Sequence, residues 1–282
     1  MTQAAVLVNL TINQFGNEKT DRKIAQEVAR SHNATVSDDR YLKRRLPISV
    51  MKGLNAQVSA IRTYHYTVTA PWFDRGIRMM AASFIPKYAA GINERKKTLF
   101  SMVEDVAKKI PELEADAIRT RGSLYQQGDF PDPDYFRKCY KVDVELLPVA
   151  TEDDFRIDYI SNEAKKKYTE NNIRRFAAQT EHLISLVEEP LVRMKASMAN
   201  QERSPKIHGS TIEALGWWAD HIDALLVDRS KEREFLAIGN RIKTDITPGY
   251  DPDGRPKYSP EYIEPALYAI DDIQDLLKCI RE

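Results

Sequence analysis

The stretch Tyr64–Pro86, YHYTVTAPWFDRGIRMMAASFIP, decides how the chain folds, because a helical pattern ends inside it and an extended apolar one begins. Pro71 has no backbone N–H, and its ring pushes Ala70 away from helical geometry, so a helix arriving from upstream stops here. Trp72 and Phe73 follow, large apolar bodies of the kind that pin a chain crossing onto a core. Asp74-Arg75-Gly76 reads as a tight turn, Asp for a local side-chain hydrogen bond and Gly for a positive φ. Ile77–Ile85 is short, apolar and bounded by Gly76 and Pro86, which predicts a buried strand.

Upstream, Val6, Val8, Leu10 and Ile12 alternate with Leu7, Asn9 and Thr11, the period-two pattern of a strand. Thr20 or Asp21 can cap a short helix whose apolar face uses Ile24 and Val28, and 33–39 reads as a loop. From Pro47 the spacing Ile48, Met51, Leu54, Val58, Ile61 predicts one helix running to the junction, with Pro47 suited to its first turn. Lys43-Arg44-Arg45 just before it reads as a solvated approach to that helix, with phosphate contact as the alternative.

Downstream, Ile92, Leu99, Met102 or Val103, Val106, Ile110, Leu113 and Ala117 keep one face of a long helix over 87–121, which Pro111 should kink or restart. Gly122–Pro133 is a connector, and Asp132 or Asp134 can cap a short helix over 135–138. Tyr140, Val142, Val144 and Leu146 then mark a half-exposed strand ending at Pro148, and Phe155–Asp158 reads as a further short strand. The composition changes after Ser161. Ile173, Phe176, Thr180, Leu183 or Ile184, Val187, Leu191, Met194 and Met198 predict a helix over 162–200, roughly 60 Å long at 1.5 Å per residue. A break at 204–209, a helix around Trp217 and Trp218, a shorter one over 231–242, a Pro- and Gly-rich loop at 247–256 and a last helix from Ile263 to Ile280 complete the chain.

The fold class this implies is α+β, mostly α-helical: long helices packed with a small three- or four-stranded sheet, and an extended helical C-terminal half. Composition divides the chain into a mixed domain, 1–160, and a helical domain, 161–282.

Forty-two basic residues balance forty-two acidic ones among 282 residues, which argues against holding duplex DNA by bulk charge and leaves room for a local basic face. Two cysteines, Cys139 and Cys279, are too few for a disulfide framework or a four-thiolate metal site, so a reducing compartment is expected. The apolar start lacks the basic segment and length of a signal peptide, and no run approaches the roughly 18 apolar residues of a membrane span. A soluble, intracellular protein with no membrane partner is expected.

Chemistry-bearing patterns are sparse. His32, His65, His182, His208 and His221 never fall four apart as metal-binding pairs on a helix do. The sequence holds no glycine-rich phosphate loop and no nucleophile elbow. No catalytic residue, cofactor or metal is therefore assigned, and an enzyme is the least supported class. Two features favour binding. Trp72 and Arg75, among the aromatics and arginines of the junction, can stack unpaired bases, although the same residues suit a core. Lys165, Lys166, Lys167, Arg174 and Arg175 set positive charge along the early turns of the 162–200 helix, where phosphate contacts are possible.

Arg62–Gly76, the apolar strand after it, GDFP at Gly128–Pro131 and PVATEDDFR at Pro148–Arg156 together resemble a widespread family of uncharacterised bacteriophage and prophage proteins. The likeness covers most of the chain and is weaker after Ser161. Phe73, where a small or polar residue is usual, and the 247–256 loop depart from the family pattern. The resemblance implies a phage protein acting in the host cytoplasm; it implies no reaction and transfers no functional residue. Two binding roles follow as expectations: an accessory protein that binds single-stranded nucleic acid in phage replication or recombination as an oligomer, or an anti-defence inhibitor that uses its long helices against a host immune protein.

Overall fold

The computed structural model describes residues 5–33, 41–72, 76–149, 161–199, 209–249 and 260–282. Along the chain the elements are β1 (Ala5–Asn13), β2 (Glu18–Thr20), α1 (Arg22–Ser31), β3 (Leu42–Arg44), α2 (Ile48–Val68), β4 (Ala70–Pro71), β5 (Ile77–Ala81) and α3 (Ile85–Arg121). There follow α4 (Pro133–Lys138), β6 (Lys141–Pro148), α5 (Asn162–Ala199), α6 (Gly209–Leu225), α7 (Glu232–Arg241) and α8 (Pro260–Arg281). The fold is α+β and mostly helical. Four strands form one sheet in the order β4-β5-β1-β6, and β2 pairs with β3 in a separate ribbon.

The three principal strands expected, two from alternation and one from a short bounded apolar run, thus share one sheet. β1 runs antiparallel to β5 with Val8 opposite Arg78 and Ala5 opposite Ala81, and β4 runs antiparallel to β5 with Ala70 opposite Met79. Gly76, at φ 94°, supplies the positive φ expected of it. The strand at 77–85 is shorter than its composition suggests. It ends at Ala81, Ala82–Phe84 forms a 3-10 turn, and Ile85 already begins α3. Pro86 is the reason: with no N–H to donate, it suits a first helical turn. The expected strand at 155–158 lies outside the described residues.

The chain groups into two compact units, each discontinuous in sequence, a different grouping from a division at residue 160. The first, here the inserted unit, comprises Leu10–His65 and Ala89–Val144. Asp21 caps α1 by accepting the Ile24 N–H at 3.2 Å, and Asn33, at φ 52°, closes it. On α2, Met51, Leu54, Val58 and Ile61 are buried as the spacing requires. Ile48 and Val28 are exposed instead, each lying within the first or last turn of its helix. α3 continues through Pro111 as one element; the flanking turns bury Val103, Ala107, Ile110 and Ala117, enough packing to hold the helix across one missing hydrogen bond. Asp132 caps α4 by accepting from Asp134 N and Tyr135 N at 2.9 and 3.0 Å.

The basic run Lys43-Arg44-Arg45 is not a solvated approach. Lys43 is buried, ion-paired to the buried Asp129, and donates to the Leu124 carbonyl. Arg45 lies 4.7 Å over the Phe15 ring and donates to the Asp129 carbonyl at 3.2 Å. Phe15, Phe136 and Tyr140 continue the cluster edge to face, at 5.2 and 5.3 Å. Two of the three cations are consumed in building the core, which also withdraws them from any phosphate contact. Elsewhere in this unit Gly91 lets Tyr64 pass close by: a Cβ at Gly91 would lie 2.7 Å from Cε1 of Tyr64.

The second, here the helical unit, comprises Met1–Asn9, Tyr66–Tyr88 and Glu145–Glu282. Its core comes from Leu183, Val187, Leu191 and Met194 of α5, Leu215, Trp218 and Ile222 of α6, Phe235 and Ile238 of α7, and Ile270, Ile273 and Leu277 of α8. After α7 the chain widens into a π turn, Ile242–Ile246, and both of those isoleucines are buried. Gly239 permits α7 to approach α6, since a Cβ there would already be 3.4 Å from the Ala219 carbonyl. Arg281 closes α8 onto α5 by forking to Glu181 and Glu188 at 2.6 and 2.7 Å. Leu146, expected on the buried side of β6, is exposed. Among the described residues no helix is long and apolar enough to cross a membrane, and both cysteines are free thiols.

Candidate nucleic-acid interface

The residues expected to contact nucleic acid fall in the helical unit, where the β4–β5 turn meets α5. Trp72 closes that turn with its own N–H, donated to the Ile77 carbonyl at 3.0 Å. Its ring is 6% exposed and meets Phe176 of α5 edge to face at 6.0 Å. The Arg175 guanidinium covers the ring at 4.7 Å. Both members of this pair were expected in the interface; what spacing did not reveal is that they face each other. A ring so covered offers no open face to a base. Arg75 lies outside the described residues.

The neighbouring aromatics are engaged in the same way. Arg78 lies 4.8 Å over Tyr66, donates to Thr69 Oγ1 at 2.6 Å, and reaches the carbonyls of Tyr66 and Thr69. These carbonyls end α2, so Arg78 caps the helix by charge and hydrogen bond together. His182 of α5 adds a donor to the Tyr66 carbonyl at 3.2 Å. Burial and the adjacent Arg78 charge pull the His182 imidazole below its ordinary range, outweighing the backbone acceptors at Tyr66 and Thr67. Phe84 is buried against Trp217 and His221.

The cations of α5 are placed differently. Ser161 starts the helix by accepting the Ala164 N–H at 3.2 Å, and no residue from Asn162 to Ala178 is fully buried. Ile173, which the apolar rhythm assigns to the core, is 64% exposed; the buried register begins only at Gln179. Lys166, Lys167 and Arg174 are exposed, and Lys165 and Arg175 are half-buried. Lys166, Lys167 and Arg174 make no ion pair with any described carboxylate. Farther along the same unit, several exposed cations are paired: Arg193 with Glu189, Arg241 with Asp245 and Asp272, Lys278 with Asp275.

Helical spacing puts Lys167 and Arg174 on one stripe, with Lys166 and Ile173 on the next. Five cations stand against two carboxylates, Glu163 and Glu170, between Asn162 and Arg175. The arrangement can attract phosphates; of the described rings beside it, Trp72 is buried and Tyr66, half exposed, carries Arg78 over its ring. Among the described residues, no three His, Cys, Asp or Glu side chains gather as metal ligands would. Compared with known family models, curated proteins and solved structures, the chain has no match.

Proposed function

We propose that this chain is a non-enzymatic phage accessory protein that binds single-stranded nucleic acid through the first half of α5. The observation that carries the reading is the local charge excess at Lys165, Lys166, Lys167, Arg174 and Arg175, in a chain whose charges balance overall. Because Trp72 is buried beneath Arg175 and Tyr66 already carries Arg78 over its ring, contact is chiefly to phosphate and tolerant of sequence. Arg175 is held over Trp72, so Trp72 serves the interface by positioning a cation. Assembly into an oligomer along the strand belongs to the same proposal.

The test is fluorescence anisotropy with a labelled single-stranded oligonucleotide at two salt concentrations. Replacing Lys166, Lys167 and Arg174 together by Gln should weaken binding and lower the log–log salt slope by about 2, since each single-strand phosphate contact contributes about 0.7. Folding stability should stay nearly unchanged, because exposed charges contribute little to it. Flat traces at both salt concentrations reject the proposal.

The exposed Ile173 favours a second reading, an anti-defence inhibitor whose mixed apolar and charged helix face meets a host immune protein. That reading requires a stoichiometric protein complex, lost on Ile173→Glu, together with the absence of oligonucleotide binding.

A further inference from the structure

We propose that a cleft in the helical unit binds a small zwitterion, an α-amino acid with an aliphatic side chain. The cleft encloses about 260 Å³ between α5, the turn joining α6 to α7, and the last turn of α8. Pockets for drug-sized ligands span roughly 300–1,000 Å³, so an occupant here is small. Ala177, Ile184 and Ile280 give it an apolar wall, while Asp228, Ser230 and Lys231 form a polar rim.

The charges in the lining differ in what they already do. Glu181 and Arg281 satisfy one another, with Glu188 completing the fork. Asp228 and Lys231 border the same space with opposite charge and do not pair. Asp228 Oδ1 accepts the Ser230 N–H at 2.9 Å, which leaves its second oxygen without a partner among the described residues. Lys231 Nζ donates to the Cys279 carbonyl at 3.1 Å and retains two N–H groups.

A zwitterion answers both: its carboxylate meets the Lys231 ammonium, its ammonium meets the free oxygen of Asp228, and its aliphatic part lies against Ala177, Ile184 and Ile280. An uncharged apolar molecule of the same size would desolvate both rim charges and pair with neither. The site is separate from the cationic turns of α5 and does not depend on what those turns bind.

The probe is L-leucine, titrated calorimetrically into the full chain beside isocaproate, which lacks the amine, and isoamylamine, which lacks the carboxylate. L-leucine should bind one to one, and each truncated compound at least about tenfold more weakly, the loss expected for one charge-assisted hydrogen bond. Asp228→Asn should weaken L-leucine by about the same factor and leave isocaproate unaffected; Lys231→Met should do so and leave isoamylamine unaffected. Ala177→Trp, at an exposed position of α5, should fill the cleft and abolish binding while thermal unfolding of the free protein is unchanged. No binding of L-leucine at millimolar concentration overturns the proposal, as does equal binding of the three compounds or undiminished binding by the Ala177→Trp variant.

Discussion

Trp72→Ala tests whether the junction is core or contact surface. A tryptophan buries on the order of 200 Å², and at about 25 cal/mol per Å² that is about 5 kcal/mol. Trp72 is 6% exposed, so nearly all of this is lost on truncation, less about 1 kcal/mol retained by the alanine methyl. The expected cost is therefore about 4 kcal/mol, within the usual range for removing a buried aromatic, and a large part of a domain's stability. Urea unfolding followed by far-ultraviolet circular dichroism measures it directly. A cycle with Phe176→Ala should show a coupling of about 0.5–1.5 kcal/mol, because the two rings meet edge to face. A loss below about 1 kcal/mol would refute the assignment of Trp72 to the core. If oligonucleotide affinity fell in Trp72→Ala but not in Arg175→Gln, the ring itself, and not the cation it positions, would have to reach bases.

His182 gives a pH-dependent expectation. Its folded pKa lies below the unfolded value near 6.5, so as pH falls the unfolded chain takes up the proton first and stability declines, levelling off below the folded pKa. The urea midpoint should drop between pH 7.5 and 5.5 by more in the natural protein than in His182→Gln; parallel curves would show that His182 has no part in it. Gly91→Ala should destabilise by about 1–3 kcal/mol although alanine is the better helix former, because the new methyl meets Tyr64. Adding Tyr64→Ala should make that same change favourable relative to Tyr64→Ala alone, and thermal unfolding of the variants decides it.

Much of the fold was legible because its signals are periodic. The alternation in β1 and β6 and the three-and-four spacing in α2, α3, α6 and α8 each report a buried face, and the sheet joins the strands those patterns mark. Single positions were less legible. Ile48, Val28 and Ile173 are apolar and in register, yet they lie where a helix outruns the surface it packs on, and periodicity carries no information on where the partner stops. The charged runs show the same limit. Lys43-Arg44-Arg45 and Lys165-Lys166-Lys167 look alike in sequence, but the first meets the buried Asp129, a partner more than eighty residues away, whereas Lys166 and Lys167 stay exposed. Arg175 over Trp72 is a pairing across about a hundred residues, set by the tertiary fold alone.

The interleaving of the two units has a consequence for the order of synthesis. The chain passes from one to the other after Asn9, His65, Tyr88 and Val144. When Val144 has been translated, every residue of the inserted unit exists, whereas the helical unit has only its first two pieces, and α5 to α8 are still to be made. At 5–20 residues per second the rest takes roughly 7–28 s. Through that interval Met79, Met80, Ala81 and Phe84, all buried in the finished protein, wait for their helical partners on a nascent chain already folding around them in sequence. The stretch that ends α2 and begins α3 is thus both the organising centre of the fold and a segment whose apolar residues are made well before the helices that bury them.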